Sequence, residues 1–299
     1  EFESDMLGVR YNALAGYNPG AMADFLGQLG ASSRLDAQIR GVDPGVVDQT
    51  NYLATHPRTT DRVRAAEQAA GAFEGGASNQ EAYLNAVDGM VFGDQPEQGV
   101  IRGREFRHPD LRMAFTVPNG FTIVNGQKAV QAFDRNGGVI VYDLDRFQGR
   151  NAADYVRTGW APNASLQGLE RINVNGLDAG AASTTGRGPN GPVNVQLVAI
   201  RDGERVHRFA FASPRNRTAA LSEPFRRTTY SFRKLSAREA AAIKPLRIDI
   251  VTVRSGDTAA GFARRMPFDS FQLERWELLN GRSRNAPLRA GEKVKIVVA

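Results

Sequence analysis

Apolar residues recur at every third or fourth position in two runs near the start of the chain, residues 6–14 and residues 22–29. This spacing predicts two helices. Gly16 and Pro19 lie between the runs and predict the break that separates them. Residues 31–51 are mostly polar and predict a loop.

Two more helices are predicted before the composition changes. Residues 59–61 read Thr-Thr-Asp and offer N-terminal caps to a helix that extends to Phe73. Residues 79–90 predict a further short helix. Residues 93–99, with two glycines and a proline, form the clearest break in composition and predict a domain boundary.

From about residue 100 the apolar period becomes the period of two that is typical of strands. Helices are predicted at residues 151–160 and 216–229, and Asp202-Gly203 is a hairpin-turn signal. These elements predict an antiparallel sheet with helices laid on it. The predicted strands are residues 113–117, 121–124, 129–133, 138–142, 171–174, 179–185, 193–201 and 205–212.

The end of the chain predicts a complete βααβ module, with strands at both ends and two helices between them. The fold class is therefore α+β and multidomain. We predict four parts: helical residues 1–93, a linker at 94–104, an α+β domain at 105–240 and the βααβ module at 246–299.

The composition, 41% hydrophobic and 23% charged, is that of globular protein with more than one core. The absence of cysteine excludes disulfides, thiolate zinc sites and cysteine nucleophiles. No apolar run approaches the ~20 residues that cross a bilayer, so we expect no transmembrane segment. The chain opens with Glu-Phe-Glu-Ser-Asp instead of a Met and an apolar leader, so we expect a cut or processed start.

The formal charge is +6, and all but five of the 38 basic residues are arginine. A positive protein favours anionic surroundings, but these arginines are scattered among acidic residues. No stretch has the basic clustering of a nucleic-acid patch, so we predict no nucleic-acid partner.

Two short segments carry the first chemical signal. Residues 1–8 read Glu-Phe-Glu-Ser-Asp-Met-Leu-Gly and residues 17–19 read Tyr-Asn-Pro. This pattern resembles the stretch after the active-site helix in zinc peptidases of the CAAX-prenyl-protease and HtpX-like family, metallopeptidase family forty-eight. The resemblance implies that Glu1 is a zinc ligand and that Asp5 supports a ligand histidine. Glu1 and Asp5 are four residues apart and so share one face of a helix, which agrees with these roles. The alternative is that the acidic residues are solvated and only stabilise the start of the helix.

A second segment, residues 55–62, reads Thr-His-Pro-Arg-Thr-Thr-Asp-Arg. It resembles the Thr-His-Pro segment of the same family, which implies that His56 and Arg62 lie near the metal cleft. A lone histidine before a proline is otherwise a turn residue. Two ordered matches favour the family interpretation.

Catalysis of this kind needs His-Glu-x-x-His, because two histidines on one helix face hold zinc while the glutamate activates water. The three histidines of this chain, His56, His108 and His207, are never four residues apart. We therefore expect zinc to be the cofactor of a complete enzyme and this chain alone to be inactive.

The middle part resembles PsbP- or Mog1-like domains in its strand order and in residues 115–121 and 231–235, which implies a binding or scaffold role.

Asp143 and Asp145 alternate on one strand. They either bind a cation or, as is more common for carboxylates on an edge strand, only aid solubility. Residues 186–191 match the Gly-x-Gly-x-x-Gly spacing of a dinucleotide site, but strand residues follow instead of a helix, so we predict a hairpin loop there.

The C-terminal module resembles LysM modules in Val-Thr-Val-Arg-Ser-Gly-Asp-Thr at residues 251–258 and in Leu-Leu-Asn-Gly at residues 278–281. LysM modules bind N-acetylglucosamine chains of peptidoglycan or chitin. The resemblance implies a sugar groove at Gly256, Asp257, Thr258, Asn280 and Gly281. Small residues replace larger apolar ones at the first helix, so a packing module that binds nothing is an equal alternative.

Together these patterns predict the C-terminal portion of a periplasmic, cell-envelope zinc endopeptidase. Its expected partners are protein substrates or envelope proteins, with peptidoglycan as a further candidate. The alternative is a non-enzymatic peptidoglycan-binding or envelope scaffold protein. The metal content of the complete protein would separate the two.

Overall fold

The computed structural model describes residues 1–45, 57–189, 191–283 and 286–299. Its first part is helical, as predicted, and ends in a short strand. The elements are α1 (Phe2–Leu14), α2 (Ala21–Ile39), α3 (Thr59–Ala70), α4 (Gln80–Val87) and β1 (Val91–Phe92). The break between α1 and α2 contains Gly16 and Pro19, which confirms that prediction.

The predicted loop at residues 31–51 is wrong over its first part, because α2 continues to Ile39. Leu35 and Ala37 are buried, so packing of this last stretch outweighs its polar composition. The predicted cap of α3 is also wrong: the helix starts at Thr59, and the residue before it, Arg58, makes no side-chain capping bond.

The described residues of the middle part are rich in strands and include three α-helices and two short 3₁₀ helices, Pro96–Gln98 and Arg215–Arg217. The strands are β2 (Val100–Arg102), β3 (Glu105–His108), β4 (Met113–Thr116), β5 (Thr122–Asn125), β6 (Val130–Phe133), β7 (Val139–Arg146), β8 (Gln167–Val174), β9 (Leu177–Gly188), β10 (Gly191–Asp202), β11 (Arg205–Pro214) and β12 (Arg233–Lys234). The helices are α5 (Ala152–Tyr155), which continues as a π-helical turn to Trp160, α6 (Thr218–Ser231) and α7 (Ala237–Ala241).

Two antiparallel sheets organise these strands. The larger has seven strands in the order β5-β6-β7-β11-β10-β9-β8, and the smaller has four in the order β12-β4-β3-β2. Asp202 pairs with Arg205 at the β10–β11 turn, which confirms the predicted hairpin. Strands β2 and β3 were not predicted from the sequence.

Neighbouring residues of β10 point to opposite faces of the seven-stranded sheet. Val198 and Ile200 face the aromatic cluster on which Leu221 and Phe225 of α6 pack. Leu197 faces the other way, toward a cluster that α5 and its π-helical turn complete. Both faces of the sheet are therefore covered by helices.

The C-terminal part follows the predicted βααβ order. Its elements are β13 (Leu246–Thr252), α8 (Ala259–Arg265), α9 (Gln272–Asn280) and β14 (Lys293–Val298). Its core holds the buried indole of Trp276, which stacks on Phe262 with ring centroids 6.1 Å apart. The sheet has three strands in the order β1-β13-β14, so β1 adds a strand that the predicted module lacked.

The chain forms two compact units. Residues 1–92 and 246–299 make up the first, and residues 93–245 make up the second. The first unit thus joins the helical N-terminal part and the βααβ module. The second contains both larger sheets, and helices and antiparallel sheets together confirm the α+β class.

Candidate functional site

Helix α1 buries an unusual face. Asp5 is 2% exposed and Val9 is fully buried, whereas the apolar Tyr11 and Leu14 are 63% and 71% exposed. A buried carboxylate requires a partner that offsets the loss of its hydration. The position of Asp5 therefore points to a specific interaction.

Arg62 of α3 is that partner. Its Nε donates to Asp5 Oδ2 at 2.7 Å and its Nη2 donates to Asp5 Oδ1 at 2.8 Å. Its Nη1 lies 2.7 Å from Oε2 of Glu1. One guanidinium therefore binds both carboxylates of the first turn of α1, and its planar fork fixes their relative positions.

The electrostatics of this cluster follow from the hydrogen bonds. The bonds from Arg62 hold the pKa of Asp5 below its usual range. The same bonds raise the pKa of Arg62. Both groups are therefore charged at neutral pH.

The structure thus brings together three of the four predicted peptidase-site residues, Glu1, Asp5 and Arg62. The fourth, His56, lies outside the described residues, as does Thr55 before it. The roles that the resemblance implies for all four remain predictions.

Zinc in proteins is held by several nitrogen, sulfur or carboxylate donors. Glu1 offers a carboxylate, which is a zinc ligand type, whereas both oxygens of Asp5 already accept hydrogen bonds from Arg62. Among the described residues no three His, Cys, Asp or Glu side chains gather into a group that could hold a metal ion. A zinc site here would need donors beyond these.

The predicted sugar-binding loop of the βααβ module has a local structural role. Asp257 Oδ2 accepts a hydrogen bond from the Arg254 amide at 2.7 Å, and Thr258 caps α8 by accepting from the Gly261 amide at 3.1 Å. Gly256 has a φ of 89°, which favours glycine. Beside this loop is a shallow depression of about 440 Å³ that Asp257 and Arg265 line.

Asn280 is bound to the backbone of the module. Its Oδ1 accepts from the Lys295 amide at 2.7 Å, and its Nδ2 donates to the carbonyls of Lys295 and Trp276 at 2.9 Å and 3.0 Å. These bonds tie the end of α9 to β14. Gly281 follows with a φ of 60° and ends the helix. The sugar-binding roles of Asn280 and Gly281 stay predictions, beside these structural ones.

Asp143 and Asp145 are held by a single arginine. Arg208 donates to both Asp143 oxygens at 2.6 Å and 2.8 Å and to Asp145 at 2.9 Å. Tyr155 also donates to Asp145, at 2.6 Å. The strand that carries them, β7, lies between β6 and β11, so the expected edge position is wrong. These carboxylates form a partly exposed ion-pair network with Arg208.

Two features of the middle part bear on motifs in the sequence. Gly188 pairs with Gly191 across β9 and β10, so the glycine-rich stretch is a hairpin, as predicted. His207 is fully buried, and its Nδ1 lies 2.9 Å from the hydroxyl of Tyr142. The burial of His207 was not predicted from the sequence. The signal available was its position beside the apolar Val206 and Phe209, both of which are buried in β11.

Residues 1–70 match the family model described as Peptidase family M48, a family of zinc metallopeptidases. The N-terminal segment is therefore related to metallopeptidases, which confirms the predicted family for this part of the chain. The closer likeness to HtpX and the LysM character of the C-terminal module stay predictions. No curated protein matches the chain.

Solved structures with distant similarity include a protein from Bacteroides thetaiotaomicron, with 11% identity and a TM-score of 0.35 over 55% of this chain and 57% of that one. The chain thus spans little more than half the length of that protein. CyanoP, the PsbP of Synechocystis sp. PCC 6803, has 12% identity and a TM-score of 0.35 over 48% of this chain and 98% of its own. LpqN of Mycobacterium tuberculosis, involved in cell envelope biogenesis, has 12% identity and a TM-score of 0.35 over 42% of this chain and 83% of its own.

These TM-scores are too low to support an argument, and the predicted PsbP-like character of the middle part stays a prediction. Within the ranges that the structure describes, none of the helices has the length and apolar character needed to span a bilayer.

Proposed function

We propose that residues 1–70 are the C-terminal part of the catalytic domain of a zinc-dependent endopeptidase that acts in the cell envelope, on the periplasmic side. The observation that carries the proposal is the buried Asp5–Arg62 pair with Glu1 on the same guanidinium. The match of this segment to the M48 family supports it.

The chemistry of the cluster suits this role. Zinc, when bound, acts as a Lewis acid and lowers the pKa of its water. Arg62 holds Glu1 and Asp5 at a fixed separation, so a candidate ligand and a candidate supporting carboxylate are positioned before any metal arrives. His-Glu-x-x-His does not occur in the 299 residues, so the other donors and the water-activating glutamate come from elsewhere in the complete enzyme.

The first experiment measures zinc in the complete enzyme. Glu1→Gln should lower zinc content by elemental analysis and reduce cleavage of casein, because an amide is a poorer ligand than a carboxylate. Glu3→Gln is the matched control, because Glu3 is exposed on the same helix. Equal zinc content in the wild type and Glu1→Gln would remove Glu1 from the site. A complete protein without zinc would favour the scaffold alternative.

The second experiment uses this chain alone. We expect no chelator-sensitive cleavage of casein or a labelled peptide, even with added zinc, because a single carboxylate near a chain terminus cannot hold the metal against water and buffer. Chelator-sensitive cleavage by the pure 299-residue chain would contradict the proposal and require an active site within it.

We also propose that the C-terminal module binds peptidoglycan at the depression beside residues 256–258. The chain should sediment with insoluble peptidoglycan, and Asp257→Ala should reduce the bound fraction. Asp269→Ala, an exposed acidic residue of the same module, is the control. Asn280→Ala is a poor probe, because it removes three bonds that hold α9 to β14. A chain that stays in the supernatant would favour a packing module.

A further inference from the structure

An apolar groove lies in the first unit, between α2 and α9, and Phe92 also lines it. Its volume is about 440 Å³. Phe25 and Leu29 stand at its edge and are 59% and 44% exposed, and Leu278 lines the opposite wall. An apolar cleft of this size falls in the range of small-molecule sites, which is about 300–1,000 Å³.

Among the described residues that line the groove, one is a cation. Arg275 of α9 lines it, stacks over the ring of Phe268 at 4.6 Å and donates from Nε to the Ser270 carbonyl at 3.3 Å. Its two terminal nitrogens have no hydrogen-bond acceptor among the described residues. Burial lowers the pKa of Arg275, and the negative charge of Asp36 opposes this shift in part.

The acidic residue of the groove is already paired. Asp36 lines the groove, and its Oδ2 lies 2.9 Å from Nε of Arg40, one turn further along α2. Asp36 acts on Arg275 through its charge but makes no hydrogen bond to it, so the terminal nitrogens of Arg275 keep their hydrogen-bonding capacity. Terminal guanidinium nitrogens suit a carboxylate, which accepts two parallel bonds.

We propose that this groove binds a single-chain amphiphilic carboxylate, with the acyl chain along the apolar walls and the carboxylate on Arg275. A helical peptide is too wide: a helix is about 10–12 Å across with side chains, so one turn already fills roughly the volume of the groove. A flexible acyl chain fills the groove lengthwise and leaves its carboxylate at Arg275. This inference goes beyond the proposed peptidase and sugar-binding roles.

The test is isothermal titration of the 299-residue chain with laurate below its micellar concentration. We expect saturable binding at one site. Dodecyltrimethylammonium, which has the same chain length and a cationic head, should bind more weakly, because Arg275 repels it. Arg275→Gln should weaken laurate binding roughly tenfold or more, the loss of a charge-assisted hydrogen bond. Arg264→Gln, an exposed arginine of the same module, should leave it unchanged.

A second pair of variants keeps the test independent of Arg275, which also contacts Phe268. Leu29→Glu places a charge on the groove wall and should abolish binding. Leu14→Glu makes the same change at a more exposed leucine outside the groove and should not alter it.

Three results would overturn the proposal: no saturable laurate binding, equal affinity for the cationic amphiphile, or equal losses in the two Leu→Glu variants. A flotation assay with phosphatidylcholine vesicles separates the sources of the ligand. Binding to vesicles without binding to monomeric laurate would make this a membrane-facing surface and refute the groove site.

Discussion

Arg62 is the residue that joins α1 to α3 through charge. The side chain of Asp5 is 3% exposed and that of Arg62 is 17% exposed, so the pair is largely withdrawn from water. Removing one partner of such a pair leaves the other charge buried and uncompensated, which costs more than the pair itself contributes.

We therefore predict that Arg62→Gln lowers the free energy of unfolding of the first unit by roughly 2–3 kcal/mol. Arg64→Gln is the control on the same helix. The Arg64 side chain is 79% exposed and its Asp61 partner is 3.7 Å away, so its loss should cost less than about 0.5 kcal/mol. Urea denaturation followed by circular dichroism measures both. Equal effects would show that Asp5 is satisfied without Arg62.

His207 is buried, and no charged group makes a hydrogen bond to it among the described residues. Its Nδ1 bonds the Tyr142 hydroxyl, and its Nε2 lies 3.6 Å from Asp202 Oδ2, which is too far for a hydrogen bond. Asp202 in turn pairs with Lys234. Burial lowers the pKa of His207 to about 4.

This shift predicts acid sensitivity of the second unit. The unfolded histidine has a pKa of about 6.5, so between pH 6.5 and 4 the unfolded state binds more protons than the folded state. Stability is therefore retained above pH 6.5 and lost as the pH falls to about 4, by about 3 kcal/mol in total. Burial also lowers the pKa of His108, which adds in the same direction.

The variant His207→Phe isolates this contribution. It should flatten the loss of melting temperature between pH 6.5 and 4, even if its stability at pH 7 is lower. His108→Phe controls for the other histidine of the unit. A wild-type-like pH dependence in His207→Phe would mean that another group causes the acid sensitivity.

The sequence could predict the types of these residues but not their pairing. Glu1 and Asp5 stand one turn apart, so a shared helix face followed from spacing alone. Arg62 was expected near the same cleft only through a family resemblance. That it binds both carboxylates depends on how α1 packs on α3, and no local pattern contains this information.

At the scale of elements, the contact of α5 with the seven-stranded sheet depends on one small residue. A side-chain carbon at Gly180 of β9 would lie 2.4 Å from the backbone of Ala153. We predict that Gly180→Ala destabilises the second unit by about 3 kcal/mol, because the helix has to move away from the sheet.

Gly186→Ala on the same strand is the matched control. There the added carbon would meet the Val195 side chain at 3.4 Å, which is ordinary contact. Thermal unfolding should show a large decrease in melting temperature for the first variant and little change for the second. Similar melting temperatures would mean that α5 adjusts at low cost.

The elements that the sequence predicted best are those with strong periodicity. The β10–β11 hairpin has alternating apolar residues and an Asp-Gly turn, and both local signals agree with the fold. Strands β2 and β3 were missed because charged residues outnumber apolar ones in residues 100–108, so no apolar alternation marks them. The end of α2 was missed because its polar residues outnumber the buried Leu35 and Ala37.

At the scale of the whole chain, the second unit contains its own core. The buried aromatic residues from Phe106 to Phe232 all lie within residues 93–245. We predict that this segment, expressed alone, unfolds in one cooperative thermal transition. The isolated 246–299 segment loses the β1 strand and the Phe92–Phe268 ring contact, so it should melt less cooperatively. A fully unfolded 93–245 segment would contradict this grouping.

The pairing of β1 with β13 has a topological consequence. Phe92, the last residue of β1, is the antiparallel partner of Leu246, the first residue of β13. Directly opposed residues of this kind are only about 5 Å apart, the separation that a two-residue hairpin loop closes. In the connectivity of the first unit, residues 93–245 therefore occupy the place of a loop. An Asn-Gly turn in their place would join β1 and β13 in a continuous hairpin.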